Sequence, residues 1–100
     1  MFKHVVCIKL KESANGVSKA ENARQAKAIL EGMNGRIPSM LKMEAGINVA
    51  EDSSGYDLAA CSEFASREDF DAYMIHPVHE VTMQFLRKVS EGRVVINYET

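Results

Sequence analysis

Phe2-Lys3-His4-Val5-Val6-Cys7-Ile8-Lys9-Leu10 is the stretch from which the fold of this chain is read. Phe2, His4, Val6, Ile8 and Leu10 recur at period two, so they share one face of a β-strand. Lys3, Val5, Cys7 and Lys9 take the other face, and Val5 and Cys7 give that face apolar surface as well.

Working outward, residues 12–17 read as a polar loop around Asn15-Gly16. Ser18 with Glu21 three positions on is a capping box that opens a helix. Ala20, Ala23, Ala26, Leu30 and Met33 follow at helical spacing, and Asn34-Gly35 is read as the end. Ile37-Pro38 leads into a second strand over about residues 40–50. Glu51-Asp52-Ser53-Ser54-Gly55 reads as a turn. A third strand over about 56–64 puts Leu58, Ala60, Ser62 and Phe64 on one face, with Ala59 and Cys61 on the other. Ser66 with Asp69 caps a short helix whose inner side carries Phe70, Tyr73 and Met74. Pro77 interrupts that helix and suits the first turn of another. Val78, Val81, Phe85, Leu86 and Val89 form the apolar face of this new helix, Gly92 ends it, and residues 93–98 give a last strand.

The order β-α-β-β-α-β predicts an α+β fold: a ferredoxin-like plait, with both helices on one face of a four-stranded antiparallel sheet, in a single domain over 1–100. The opposite face then carries Val5, Cys7, Ala59 and Cys61 uncovered. A face that wide calls for a partner, and the simplest is a second copy about a two-fold axis. The expected assembly is therefore a homodimer.

The bulk composition narrows the partners. Hydrophobic residues make up 46% of the chain, and 12 basic against 14 acidic residues leave a net charge of -2. No basic face offers itself to nucleic acid. Apolar runs such as Val5-Val6-Cys7-Ile8 are far too short to span a membrane. Met1-Phe2-Lys3-His4 has no signal-peptide pattern, so the expected location is cytoplasmic. Cys7 and Cys61 are then expected as unpaired thiols, and neither belongs to the Cys-x-x-Cys spacing of a zinc site.

The chemistry concentrates in Ala72-Tyr73-Met74-Ile75-His76-Pro77-Val78-His79. Histidine takes and gives protons near neutrality, and a tyrosine hydroxyl holds a substrate oxygen. His4, alternating with Phe2, Val6 and Ile8, points to the helix side. Ala26, Ala60 and Ser62 are small enough to leave room for a ligand. His79 is expected at the border of the buried face of its helix, and His76 as a cap of that helix or a solvent-facing ring. A metal bound by His76 and His79 with Glu80 or Glu63 lacks a third ligand at suitable spacing, and the proline splays the two rings. No cofactor is expected. Glu80, Gln84, Arg87 and Lys88 read as a solvated helix face. Two functions fit: a small-molecule binding protein or acid–base enzyme, and a non-catalytic, stress-related structural or interaction dimer in which the same residues close a core. An enclosed cavity touching His79 and Tyr73 distinguishes the first.

These residues resemble a stress-responsive A/B-barrel (Dabb) domain over nearly the whole chain. The resemblance rests on Lys3-His4-Val5-Val6, Ile37-Pro38, Gly46-x-Asn48, Gly55-Tyr56-Asp57-Leu58, Tyr73-x-x-His76-Pro77-x-His79 and Asn97-Tyr98-Glu99. It implies two sheets facing each other as a dimeric α/β barrel, with a cavity between sheet and helices in each subunit. It also implies that Val95 and Asn97 face the core, where pattern alone favours Val94, Ile96 and Tyr98. One plant branch of the family contains cofactor-free polyketide cyclases that promote an intramolecular aldol condensation. Their catalytic positions match Tyr73 and His79, with His4 and His76 nearby. By the same resemblance Val6, Ile8, Ala60, Ser62, Phe70, His76 and Asn97 are expected to bind substrate. The position of Asn97 is typically an aspartate in the family, so here a charge that would support a histidine cation is missing, and His79 is expected to be mostly neutral at pH 7. The first helix also departs, with Ala23, Ala26 and Leu30 where the cyclases carry aromatic residues, which argues against the cyclase substrate.

Overall fold

The computed structural model describes residues 1–50 and 55–100. Its elements are β1 (Phe2–Leu10), a small hairpin of β2 (Ser13–Ala14) and β3 (Val17–Ser18), α1 (Lys19–Glu31), β4 (Lys42–Ile47), β5 (Leu58–Phe64), α2 (Arg67–Met74), α3 (Pro77–Val89) and β6 (Ser90–Glu99). The four long strands form one sheet in the order β4-β5-β1-β6, antiparallel throughout. This is the expected ferredoxin-like plait. β1 is central. His4 stands between Ser62 of β5 and Asn97 of β6, and Val6 between Ala60 and Val95.

The core lies between the sheet and the helices. Phe2, Ile8, Leu10, Met43, Ala45, Leu58, Ala60 and Phe64 enter it from the strands, and Ala23, Ala26, Leu30, Phe70, Tyr73, Leu86 and Val89 from the helices. The period-two faces of β1 and β5 are as read from sequence. The parity of β6 follows the resemblance: Val94, Ile96 and Tyr98 lie across from Cys7, Val5 and Lys3 on the outer face and are exposed. The choice that pattern alone favours is overturned.

Several local readings are corrected. Residues 12–17 are not a plain loop. Asn15 and Gly16 adopt φ of 55° and 73°, the left-handed pair that closes a two-residue hairpin, here between β2 and β3. Helix α1 ends at Glu31, with Gly32 as its C-cap, rather than at Asn34-Gly35, and the Asn34 side chain is engaged elsewhere. Its Nδ2 donates to the carbonyls of Glu31 and Met43, and its Oδ1 accepts from the Met43 N–H at 2.8 Å, which ties the helix end to the edge strand β4. Ala20, counted on the buried face, is exposed. β4 and β5 are shorter than read. The expected turn over Glu51-Asp52-Ser53-Ser54-Gly55 lies, Gly55 excepted, outside the described residues.

The two later helices differ in which side they bury. Ser66 caps α2 as expected, accepting from the Asp69 N–H at 3.1 Å, and Phe70 and Tyr73 point inward. Met74 is 43% exposed instead of buried. On α3 the buried stripe is His79, Thr82, Leu86 and Val89, and Val81 is 65% exposed. Thr82 is tolerated inside because its hydroxyl donates to the Val78 carbonyl at 3.0 Å. His79 therefore sits within the inner stripe, not on its border. α3 ends at Val89, and Gly92 already belongs to β6, opposite Lys9 beside a register shift at Lys9/Leu10. Cys7 and Cys61 are free thiols on the outer face. No described helix is long and apolar enough to cross a membrane.

Because α2 is only two turns long, its cap matters. Ser66→Ala is expected to lower stability by about 1 kcal/mol, read as a lower urea midpoint at unchanged slope. Loss of less than a few tenths would show that packing of Phe70 and Tyr73 alone holds the helix.

Candidate active site

The site begins at the break between α2 and α3. The His76 backbone is extended, and its Nδ1 accepts from the Val78 N–H at 3.1 Å, so the ring caps α3. Pro77 occupies the first position of α3, where its missing N–H costs nothing. The break sets Tyr73, near the end of α2, against His79, in the first turn of α3. Their ring centroids are 4.4 Å apart.

From Tyr73 a ladder of rings runs back to the sheet. Phe64 lies 5.0 Å away, Phe70 6.1 Å and His4 6.3 Å, and His4 is 4.9 Å from Phe70. Three elements, β1, α2 and α3, thus bring His4, Tyr73 and His79 to one cavity of about 700 Å³ between sheet and helices. Its interior is formed by Val6, Ile8, Leu30, Met43, Ala60, Phe70 and Leu86, and its rim by Met74, Glu80, Arg87 and Arg93, all four exposed.

Burial governs the protonation of all three groups. Tyr73 is 2% exposed, and loss of water pushes its phenol up to about 12, so it stays a hydrogen-bond donor at neutral pH. Its hydroxyl has no hydrogen-bond partner among the described residues. Burial holds the His79 pKa below the usual histidine value. The nearby Met74 carbonyl and the Glu80 carboxylate oppose this, while His4 and Arg87 reinforce it. Nδ1 of His79 is fully buried and lacks any partner within hydrogen-bond geometry. This leaves Nε2 as the nitrogen through which the ring can act on the cavity. His4 is likewise held low, first by burial and then by Arg93, against the raising effect of its bond to Asn97.

Asn97 stands somewhere the sequence did not indicate. Its Oδ1 accepts from His4 Nδ1 at 2.5 Å, so the amide serves His4 and not His79. The bond fixes the proton on Nδ1 of His4 and leaves Nε2 bare. Of the residues singled out from sequence, His4, Val6, Ile8, Ala60, Phe70, Tyr73, His79 and Asn97 line the cavity. Two do not. His76 is spent on capping α3, and Ser62 lies behind the wall with its hydroxyl donating to the His4 carbonyl at 3.4 Å. Arg93 and Arg87 were missed as lining residues. Period two counted back from Asn97 through Val95 reaches Arg93, and one helical turn from Met83 reaches Arg87. Among the described residues no three His, Cys, Asp or Glu side chains are grouped to hold a metal ion.

Comparison with solved structures finds the same fold in several proteins. A dimeric protein of unknown function with a ferredoxin-like fold from Bacteroides fragilis is 27% identical, with a TM-score of 0.84 over 99% of this chain and 95% of that one. A hydroxynitrile lyase from Passiflora edulis is 22% identical, with a TM-score of 0.80 over 97% and 90%. A Dabb family protein with a ferredoxin-like fold from Mesorhizobium loti is 21% identical, with a TM-score of 0.67 over 99% and 95%. No curated protein matches the sequence. Residues 2–100 match the model of the stress responsive A/B barrel domain, and with its plait and its cavity between sheet and helices the chain belongs to that family.

Proposed function

We propose that the chain is a homodimeric enzyme acting on a small carbonyl compound by proton transfer, with its own side chains as acid and base. The observation that carries this reading is the cavity of about 700 Å³ lined by both His79 and Tyr73, whose hydroxyl has no hydrogen-bond partner among the described residues. A packed interior would have favoured a purely structural dimer.

In this reading neutral His79 removes a proton from the carbon next to the carbonyl. The C–H electron pair moves into an enolate, the proton resides on the imidazole, and the Tyr73 phenol donates a hydrogen bond to the enolate oxygen. In a cyclase the enolate carbon then attacks a second carbonyl, and the imidazolium gives its proton to the new alkoxide. A lyase runs the same steps in reverse, His79 taking the hydroxyl proton, the carbon–carbon bond breaking to the enolate, and the imidazolium returning the proton to carbon. Val6, Ile8, Ala60 and Phe70 shape the substrate's apolar contacts. His4 assists from β1 through its bare Nε2. One structural neighbour carries the name of a lyase, in keeping with this class. The dimer is supported by the outer sheet face, where Val94, Ile96 and Tyr98 stand exposed beside Val5 and Cys7, and by neighbours described as dimeric.

The first step is testable without knowing the product. Wild-type protein in D₂O is expected to exchange the α-proton of at least one member of a panel of β-keto esters and aryl ketones, followed by NMR. His79→Gln should lower that rate by roughly 10²–10⁴-fold and Tyr73→Phe by about 10²–10³-fold. Exchange no faster than in buffer, or unchanged in His79→Gln, leaves the structural dimer as the better reading.

Burial of the two rings also makes folding depend on pH. His4 and His79 both titrate below the usual histidine value of 6.5 in the folded chain. Below about pH 6.5 the unfolded chain takes up protons that the folded one refuses, so stability should decline as pH falls through that value. Proton abstraction should fall on the same side. Asn97→Asp places a carboxylate on His4, and ring-proton NMR should show the His4 pKa rising by a unit or more while His79 moves little. A larger shift at His79 than at His4 would contradict the pairing. Finally, sedimentation at micromolar concentration should give a dimer, with an interface above roughly 1,200 Å². A monomer removes that part of the proposal.

A further inference from the structure

The rim of the cavity points to the kind of compound it takes. The interior is apolar, lined by Leu30, Met43, Phe70 and Leu86, whereas two of the four exposed rim residues are arginines. Arg87 is already engaged, since its Nη1 lies 3.2 Å from Glu80 Oε1. Arg93 has no ion pair or hydrogen bond among the described residues. It stands opposite Ile8 on β6, at the parity of Val95 and Asn97, so the strand directs its side chain to the helix side rather than to the outer face. Its charge also bears on His4, a ring buried in the wall below.

A guanidinium in that position works against positive charge on His4, and among the described residues no protein anion balances it. Glu80, the one acidic residue of the lining, is held by Arg87. A planar fork of donors at the mouth of an apolar cavity matches one partner well, a carboxylate received through two parallel hydrogen bonds. We infer that the ligand of this cavity is an apolar carboxylic acid, its body among the methionines and Phe70 and its carboxylate on Arg93. The inference rests on the reading of the cavity as a small-molecule site and adds to it the chemical class of the occupant. It also makes Arg93 a specificity-determining residue, separate from the groups that move protons.

A matched pair of probes separates the two claims. Titration with 4-phenylbutyrate and with 4-phenylbutanol, followed by the ring signals of His4 and His79, compares one body with and without the charge. The acid is expected to bind at least ten-fold tighter than the alcohol at low salt, and added salt should narrow the difference, since the rim is open to solvent. Arg93→Gln should remove the advantage of the acid and leave the alcohol unaffected. Arg93→Lys, which keeps the charge but not the fork, should restore part of it. Arg87→Gln should change the ratio less. If the alcohol binds as well as the acid, or Arg93→Gln leaves the ratio unchanged, the inference is overturned and the cavity reading stands. If neither compound moves the histidine signals, both fall together.

Discussion

The structure turns on one interruption of a helix. Had the chain continued as a helix from Arg67 to Val89, Tyr73 and His79 would have lain six residues apart on one rod, on different sides of it. Pro77 forbids helical geometry at His76, and His76 answers by turning its own ring onto the new N-terminus. The kinked pair then covers the sheet with two short helical faces instead of one long one. Tyr73 and His79 meet at the corner between them, over a gap that no side chain fills.

That gap sets the electrostatics. Burial in its walls withdraws Tyr73, His4 and His79 from bulk water, so each is shifted toward its neutral form: the phenol holds its proton, and the imidazoles decline theirs. The hydrogen bond from His4 to Asn97 works the other way, since it favours the protonated ring, yet an amide does so weakly. An aspartate there would bring a full charge to bear. The asparagine thus keeps His4 oriented without making it a cation. In a site where base strength and neutrality must coexist, the amide is a physical choice with a consequence, although it acts on a different histidine from the one the sequence pointed to.

Much of the fold was legible because its signals are local. Alternation in Phe2–Leu10, the Ser66–Asp69 cap and the break at Pro77 each follow from a few neighbouring residues. What was not legible depends on contacts between distant elements. The true inner stripe of α3 contains His79 and Thr82, polar residues that an apolar count passes over, and Thr82 is admitted only because it bonds back to Val78. Asn34 looks like a helix stop, but its amide is claimed by Met43 across the layer. The partner of Asn97 depends on strand register, which sequence alternation fixes only to within a choice of face. Arg87 was read as solvated and Arg93 was given no role, because a residue that is both exposed and directed at a cavity has no distinguishing pattern.

Strand β6 carries two messages in ten residues. Arg93, Val95 and Asn97 write one on the side of the helices, and Val94, Ile96 and Tyr98 write the other on the opposite side. Because the two alternate, the strand tolerates substitutions one face at a time but not changes of length. Insertion or loss of a single residue ahead of Asn97 would bring Ile96 or Tyr98 beside His4 and turn the amide outward. Both faces would fail in one event. Relatives that diverge freely in the loops should therefore keep the spacing between the end of α3 and Asn97, and changes of length should fall in the loops between elements instead.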